Sequence, residues 1–337
     1  MESKILILLK ERWEFLNMKI KVFNHNDLDA VGCTIMLKMI FEEVDVIHCG
    51  YDEINERIAR FVNDSGYLSY DKIFITDISV NEEVAHLIDS IYQQGADIIL
   101  IDHHPTSLWL KEKYEWAIVA PLLDNGIKAS ATVLLHDYLM QHYPEKSDVL
   151  NNLNSFSEIV RKFDTWDWNR LNDPVPKKFN DLLHLVGKTE FIDRMIKRLS
   201  LMGNNIRLND QEEFLLEVNQ ENINRYIENT RVIKAKFSDF ISADVDYDIG
   251  IVFAEQHISE LGNRICNNNP DIDFVIIINF RTNTFSFRST REDIHLGEIA
   301  RKYFGGGGHP QAAGAEIGDE KVDLITKLLI SKEHTHA

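Results

Sequence analysis

The sequence predicts an α/β protein in which a mainly parallel sheet flanked by helices is followed by a helical linker and a smaller C-terminal domain. Two observations predict it. Short β-branched runs alternate with stretches of helical spacing through the first half of the chain, a pitch that builds βαβ units. A long, charged, helix-patterned stretch then separates that half from a second group of strand-like runs. The 337 residues suit about two domains.

Residues 1–17 read as an extension before the main fold. Their apolar run, Ile5 to Leu9, is too short to span a bilayer or to serve as a signal segment. The first strand follows, with its apolar run from Ile20 to Phe23, and further strands are expected at Val44 to Ile47, Ile73 to Thr76, Ile98 to Ile101 and Ala117 to Val119. Helices are expected between them at Ala30 to Phe41, Ile54 to Val62 and Glu82 to Gln93, and after them at Ser130 to Leu139 and Asn151 to Arg170. These elements make a first domain over residues 18–190. Residues 191–240 form the helical linker, since Glu190 to Lys236 contains no proline and a single glycine, Gly203. Residues 241–337 form the second domain, with strands at Ile249 to Ala254, Phe274 to Phe280 and Thr284 to Arg288, the last two joined by a hairpin loop through Arg281, Thr282 and Asn283. The tail after Lys332, with His334 and His336, reads as a frayed end.

Composition narrows the function. A chain that is 44% hydrophobic and 27% charged buries a sizeable core and is not disordered as a whole. The net charge of −18 argues against tight binding to long duplexes, which requires a basic surface; a short anion can still be held through a metal or a few arginines. Cys33, Cys49 and Cys266 form no CxxC pair, so neither a disulfide framework nor a thiolate zinc site is indicated, and reduced thiols in the cytoplasm are expected.

Chemistry gathers at the expected strand ends, where ligands bind in open α/β sheets. His25-Asn26-Asp27-Leu28-Asp29 follows the first strand. Two carboxylates aimed at one small volume repel unless a cation joins them, and oxygen with imidazole donors suits Mn²⁺, Mg²⁺, Fe²⁺ or Zn²⁺. The structural alternative is Asp29 as an acidic helix cap before Ala30. Asp77 ends the third strand, and a helix cap is again the alternative. Asp102-His103-His104 ends the fourth; in a loop the two histidines can diverge, one to a metal and one to substrate, with Asp102 orienting a ring. Asp164, in Phe163-Asp164-Thr165-Trp166, sits at a helix end. Gly305 to Gly308 with His309 allows close backbone approach and offers N–H groups to an anion; its spacing matches neither a P-loop nor a dinucleotide fingerprint.

Taken in order, Asp27-x-Asp29, Asp77, Asp102-His103-His104 and Asp164 resemble the four N-terminal motifs of the DHH phosphoesterase superfamily. Phe285 to Ser289 and the glycine-rich segment through His309 resemble its DHHA1 C-terminal domain. The resemblance runs from about Met18 to Gly318, and within the superfamily it is strongest to nanoRNase B-type oligoribonucleases. One departure is that His25 lies two residues before Asp27, where many relatives have four.

The resemblance implies an α/β DHH domain and an α/β DHHA1 domain closing a cleft over the site. It implies that Asp27, Asp29, Asp77, His103 and Asp164, with His25, hold two divalent ions. Mn²⁺ is expected, with Mg²⁺ or another divalent ion as substitutes, and Asp77 as the bridge. Asp77, Asp102 and His104 are the implied catalytic residues, His104 contacting the scissile phosphate or moving a proton. His309, the Gly306, Gly307 and Gly308 amides, Arg288 and Ser289 would bind a terminal phosphate, and Arg264 a base or phosphate. The implied reaction is hydrolysis of short RNA to 5′-mononucleotides, without long duplex or membrane partners; a homodimer is left open. The alternatives are a phosphodiesterase for cyclic or linear dinucleotides, a 3′-phosphoadenosine 5′-phosphate phosphatase, and a non-catalytic nucleotide-binding module. The last is disfavoured because carboxylates stand at all the matching positions.

Overall fold

Strands that are apolar on both faces need cover on both sides, and the first half of the chain supplies it. The computed structural model describes residues 18–239 and 245–318; the extension over 1–17 and the tail with His334 and His336 lie outside them. Strands β1 (Lys19–Asn24), β2 (Glu43–His48), β3 (Lys72–Thr76), β4 (Ile98–Asp102) and β5 (Ala117–Val119) form one sheet in the order β2-β1-β3-β4-β5, every pair parallel. β3 and β4 are buried at every position. Alternate residues feed two cores. Phe74, Ile99 and Ile101 face helices Leu28–Ile40, Ala131–His142, Asn154–Asp164, Val175–Val186 and Lys188–Met202. Ile73, Ile75, Ile98 and Leu100 face helices Ile54–Asn63, Glu82–Tyr92 and Leu108–Lys113. The strand order reverses between β1 and β3, which opens a crevice at their carboxyl ends.

The chain divides into two units, residues 1–216 and 217–337, with the boundary inside helix Asp210–Asn229. Helix Lys188–Met202 buries Phe191, Met195 and Leu199 in the core of the first unit. The helical pattern expected to continue to Lys236 ends at Asn229; Ile233–Asp239 is instead β6, an edge strand. Its alternating Lys234 and Lys236 pair with Asp271 and Asp248, so the charges that read as a helix face in fact decorate a sheet edge.

In the second unit β7 (Val245–Phe253), β8 (Phe274–Asn279), β9 (Thr284–Arg288), β10 (Gly307–Gly308) and β11 (Ala312–Glu316) join β6 in the order β10-β11-β9-β8-β7-β6. Only β7 and β8 pair in parallel, across helix Ile258–Asn268. The β8–β9 hairpin turns through the expected loop, with Asn283 in the left-handed region. Close approach explains two of the glycines. A Cβ on Gly306 would lie 2.0 Å from the Gly314 carbonyl oxygen, and one on Gly297 2.1 Å from that of Gly308. Among the described residues no helix is long and apolar enough to cross a membrane.

Candidate metal centre

The crevice collects the side chains that leave β1, β3 and β4. Helix Leu28–Ile40 begins one residue after Asp27, and Asp27 is its cap: Oδ1 accepts the N–H groups of Asp29 and Ala30, both at 3.1 Å, while Oδ2 meets His25 Nδ1 at 2.8 Å. The capping role considered for Asp29 therefore falls to Asp27. Asp29 lies inside the first turn, fully buried. Its carboxylate accepts N–H groups from Ala131 (2.6 Å) and Thr132 (2.9 Å), the first residues of helix Ala131–His142. A helix N-terminus favours such an anion. The two helices come this close because position 32 is glycine; a Cβ there would sit 2.5 Å from Thr132 Oγ1.

Asp77 follows β3 with φ of 59°, in the left-handed region that costs a side-chain-bearing residue energy. It is buried, and its Oδ2 has no hydrogen-bond partner among the described residues. Asp102, buried at the end of β4, accepts the His103 N–H at 2.8 Å and His104 Nδ1 at 2.7 Å with one oxygen. The adjacent histidines keep their rings 4.3 Å apart but make different contacts. His104 is oriented by Asp102, whereas His103 turns Nε2 toward Asp77 (3.3 Å), Asp164 (3.5 Å) and Asp29 (3.7 Å). That nitrogen is buried and has no hydrogen-bond partner among the described residues. Asp164 is the last residue of helix Asn154–Asp164. Among the described residues there are thus three overlapping groups, the donor atoms of each within 4.8 Å of one another: His25, Asp27 and Asp77; Asp29, His103 and Asp164; and Asp77, Asp102, His103 and His104.

Charge in this cluster is costly. Burial, together with the neighbouring Asp27 and Asp29 charges, pushes Asp77 well up and Asp164 to about 8. Burial also raises Asp29 against the pull of His103. Asp27 goes the other way: burial opposes its charge, but hydrogen bonds from His25 and within the cluster hold it at about 2. His104 is raised by its bond to Asp102. Several carboxylates sharing one buried volume, with an orphaned oxygen and an orphaned imidazole nitrogen pointing into it, fit divalent cations; the oxygen-and-imidazole donor set suits hard or borderline ions.

Three neighbours were not singled out from the sequence. His48, at the end of β2, donates from Nδ1 to the His25 carbonyl (3.0 Å); the Tyr51 ring lies 4.8 Å from that of His25; Lys188 Nζ donates to Asn26 Oδ1 (2.7 Å). A signal for the first two existed, since His48 ends a strand of the parallel sheet and Tyr51 follows it. Nothing local to Lys188 marks it.

In the second unit, β9 and β11 bring Arg288 opposite Ala312, and the His309 N–H donates to the Ala312 carbonyl, so Arg288 and the exposed His309 share one end of the sheet with Gly307 and Gly308. Arg288 donates to Ser259 Oγ and to the Phe287 carbonyl and has no carboxylate partner among the described residues; burial lowers its pKa. Ser289 is buried and donates to the Asp273 carbonyl. Arg264 is held on Glu260 and Asn224.

Comparison with known proteins agrees with this layout. The N-terminal domain of the DHH family matches residues 19–161, and the DHHA1 domain matches residues 251–334. Oligoribonuclease NrnB of Bacillus subtilis is 37% identical over 307 residues, covering 90% of this chain and 74% of the relative. A 3′,5′-cyclic-nucleotide phosphodiesterase of Helicobacter pylori is 24% identical over 89% of this chain and 93% of its own length. Among solved structures, the pGpG-specific phosphodiesterase PggH of Vibrio cholerae shares the fold with a TM-score of 0.51 at 16% identity, over 93% of this chain and 98% of that one. The two domain matches in order, and identity at this level across nine-tenths of the sequence, show that this chain belongs to the DHH phosphoesterase family, in the branch that carries a C-terminal DHHA1 domain.

Proposed function

We propose that the chain hydrolyses short oligoribonucleotides to 5′-mononucleotides with the help of two divalent ions, Mn²⁺ first among them. One observation carries the reading. Overlapping donor groups meet at the sheet's crevice, with Asp77 Oδ2 and His103 Nε2 buried there and unpartnered among the described residues. His25, Asp27 and Asp77 would hold one ion, and Asp29, Asp77, His103 and Asp164 the other. When bound, such ions supply an activated water and neutralise charge on the phosphate. The protein's own groups do the rest. Asp102 fixes His104 through Nδ1, which leaves Nε2 to hydrogen-bond a phosphate oxygen or protonate the leaving oxygen. The raised pKa of His104 keeps that proton available closer to neutral pH. In the second unit His309, the Gly307 and Gly308 amides and Arg288 would bind a terminal phosphate, whereas the Gly306 N–H expected to join them already donates to the Ala300 carbonyl. Ser289 and Arg264 would serve that subsite mainly as supports, since both are occupied by internal partners.

The Bacillus relative's activity supports RNA as substrate, and the net charge of −18 supports a short one. Three buried free cysteines support a reducing, cytoplasmic setting. The Helicobacter relative supports a second reading, hydrolysis of cyclic or linear dinucleotides. A substrate panel with Mn²⁺, and with chelator as control, separates the two. It holds a 5′-phosphorylated RNA dinucleotide, an RNA pentamer, a 24-mer, a cyclic dinucleotide, 3′-phosphoadenosine 5′-phosphate and pyrophosphate. Fast, chelator-sensitive release of mononucleotides from the two short RNAs is expected. Preference for the cyclic compound or the bisphosphate would move the function to the second reading or to the phosphatase.

A further inference from the structure

Trp166 is 64% exposed, yet it occupies a left-handed turn (φ 63°, ψ 11°) that a bulky side chain adopts only at a cost of roughly 1–2 kcal/mol. The turn is firmly held. The Trp166 N–H donates to the Phe163 carbonyl, and its own carbonyl accepts from Asn169 and Arg170. Trp168 lies 5.7 Å from Trp166 at 30° and stacks on Phe163 at 16°, so the indole is backed by an aromatic series. Nothing in packing calls for a tryptophan here, where asparagine or glycine would relax the backbone.

Its position gives it a use. Trp166 is two residues beyond Asp164, so their Cα atoms are at most about 7 Å apart. It lines an open recess with Ile127, Lys128 and Arg170. The segment carrying Ile127 and Lys128 leaves the carboxyl end of β5, on the same rim as the carboxylate cluster, and Arg161 ties it to the helix of Asp164 by donating to the Lys128 carbonyl. Lys128 is exposed, and its ammonium has no ion-pair partner among the described residues. We infer that Trp166 is a stacking platform for the nucleobase next to the scissile phosphate, with Lys128 beside it for a phosphate of the same ligand. The inference rests on the oligonucleotide reading and adds to it a base-contacting subsite in the first unit. A π-face accepts every base, so the subsite would select for the presence of a base and not for its identity.

The test compares 5′-phosphorylated ApA with the analogue that lacks the base next to the scissile phosphate. Variants are Trp166→Asn, which suits the left-handed turn and keeps the fold, and Trp166→Phe, which keeps a smaller platform. Stacking of this kind makes the ratio of kcat/KM for the dinucleotide to that for the abasic analogue fall roughly 5- to 100-fold in Trp166→Asn, and less in Trp166→Phe. A ratio equal to wild type, with ApA still turned over, overturns the platform and leaves the oligonucleotide reading standing. So does a change in oligomeric state with no change in ratio, which would make Trp166 a contact between copies. Quenching of indole emission is read in parallel. Adenosine 5′-monophosphate should quench wild type more than ribose 5-phosphate does, and the difference should vanish in Trp166→Asn. If wild type cleaves no dinucleotide, the function reading fails, and the quenching comparison alone decides the platform.

Discussion

At the scale of the residue, Asp77 combines two features that folding alone does not repay: a left-handed backbone and a buried carboxylate oxygen without a partner among the described residues. Its charge is further penalised by Asp27 and Asp29. Asn tolerates the left-handed region nearly as well as Asp, so Asp77→Asn removes the charge and leaves the turn. Phosphodiester turnover should fall by roughly 100-fold or more, the scale of losing a preorganised electrostatic contact. The metal-free variant should melt higher than wild type, because a repelled buried charge is gone. A variant that melts higher and also turns over normally would sink the assignment of Asp77 to both ion positions; steady-state rates and a thermal melt in chelator decide it.

At the scale of the element, the site is assembled where helix Leu28–Ile40 presses against the start of helix Ala131–His142, and Gly32 sets that distance. Gly32→Ala places a methyl group against Thr132 Oγ1, so the helices must part, and Asp29 loses its hold on the Ala131 and Thr132 amides. Overpacking of this kind costs about 1–3 kcal/mol, read by denaturant melts, and should weaken Mn²⁺ binding in titrations even though no donor is altered. Retained stability and affinity would show that the contact relaxes without moving Asp29. The same scale shows what was legible beforehand. β3 and β4 were plain because buried parallel strands read as continuous β-branched runs, and their ends pointed to Asp77 and Asp102-His103-His104. β6 was misread because an edge strand with lysine at every second position mimics a charged helix continuing from Asp210–Asn229. The approach of Asp29 to helix Ala131–His142 was not legible, since residues about a hundred positions apart meet through a glycine whose role appears only once both helices are placed. Asp164 was recognisable only through the family resemblance, as an aspartate at a helix end is common.

At the scale of the whole molecule, a chain of net charge −18 gathers part of that charge in one buried crevice, and this couples folding to pH and to divalent ions. Burial and the neighbouring carboxylates push Asp164 up to about 8 in the folded protein, whereas an unfolded aspartate titrates at about 4. Between those values the folded state binds more protons than the unfolded one, so stability falls as pH rises through the window. Asp29 and Asp77, also raised, act in the same direction, as does His104. His103 and His48 are lowered by burial and oppose it, adding stability as pH passes the ordinary histidine range. Asp27 and Asp102, held low, act only in acid. The contribution of Asp164 is isolated by comparison with Asp164→Asn. Between about pH 5 and 8 the metal-free wild type should lose more melting temperature than this variant does. Binding of Mn²⁺ must displace the Asp164 proton at the lower end and needs no such displacement at the upper end. The stabilisation that saturating Mn²⁺ confers on wild type should therefore grow with pH, and more than it does in Asp164→Asn. Parallel melting curves for the two proteins across the window would separate Asp164 from the charged cluster and return it to the ordinary role of an aspartate at the end of a helix.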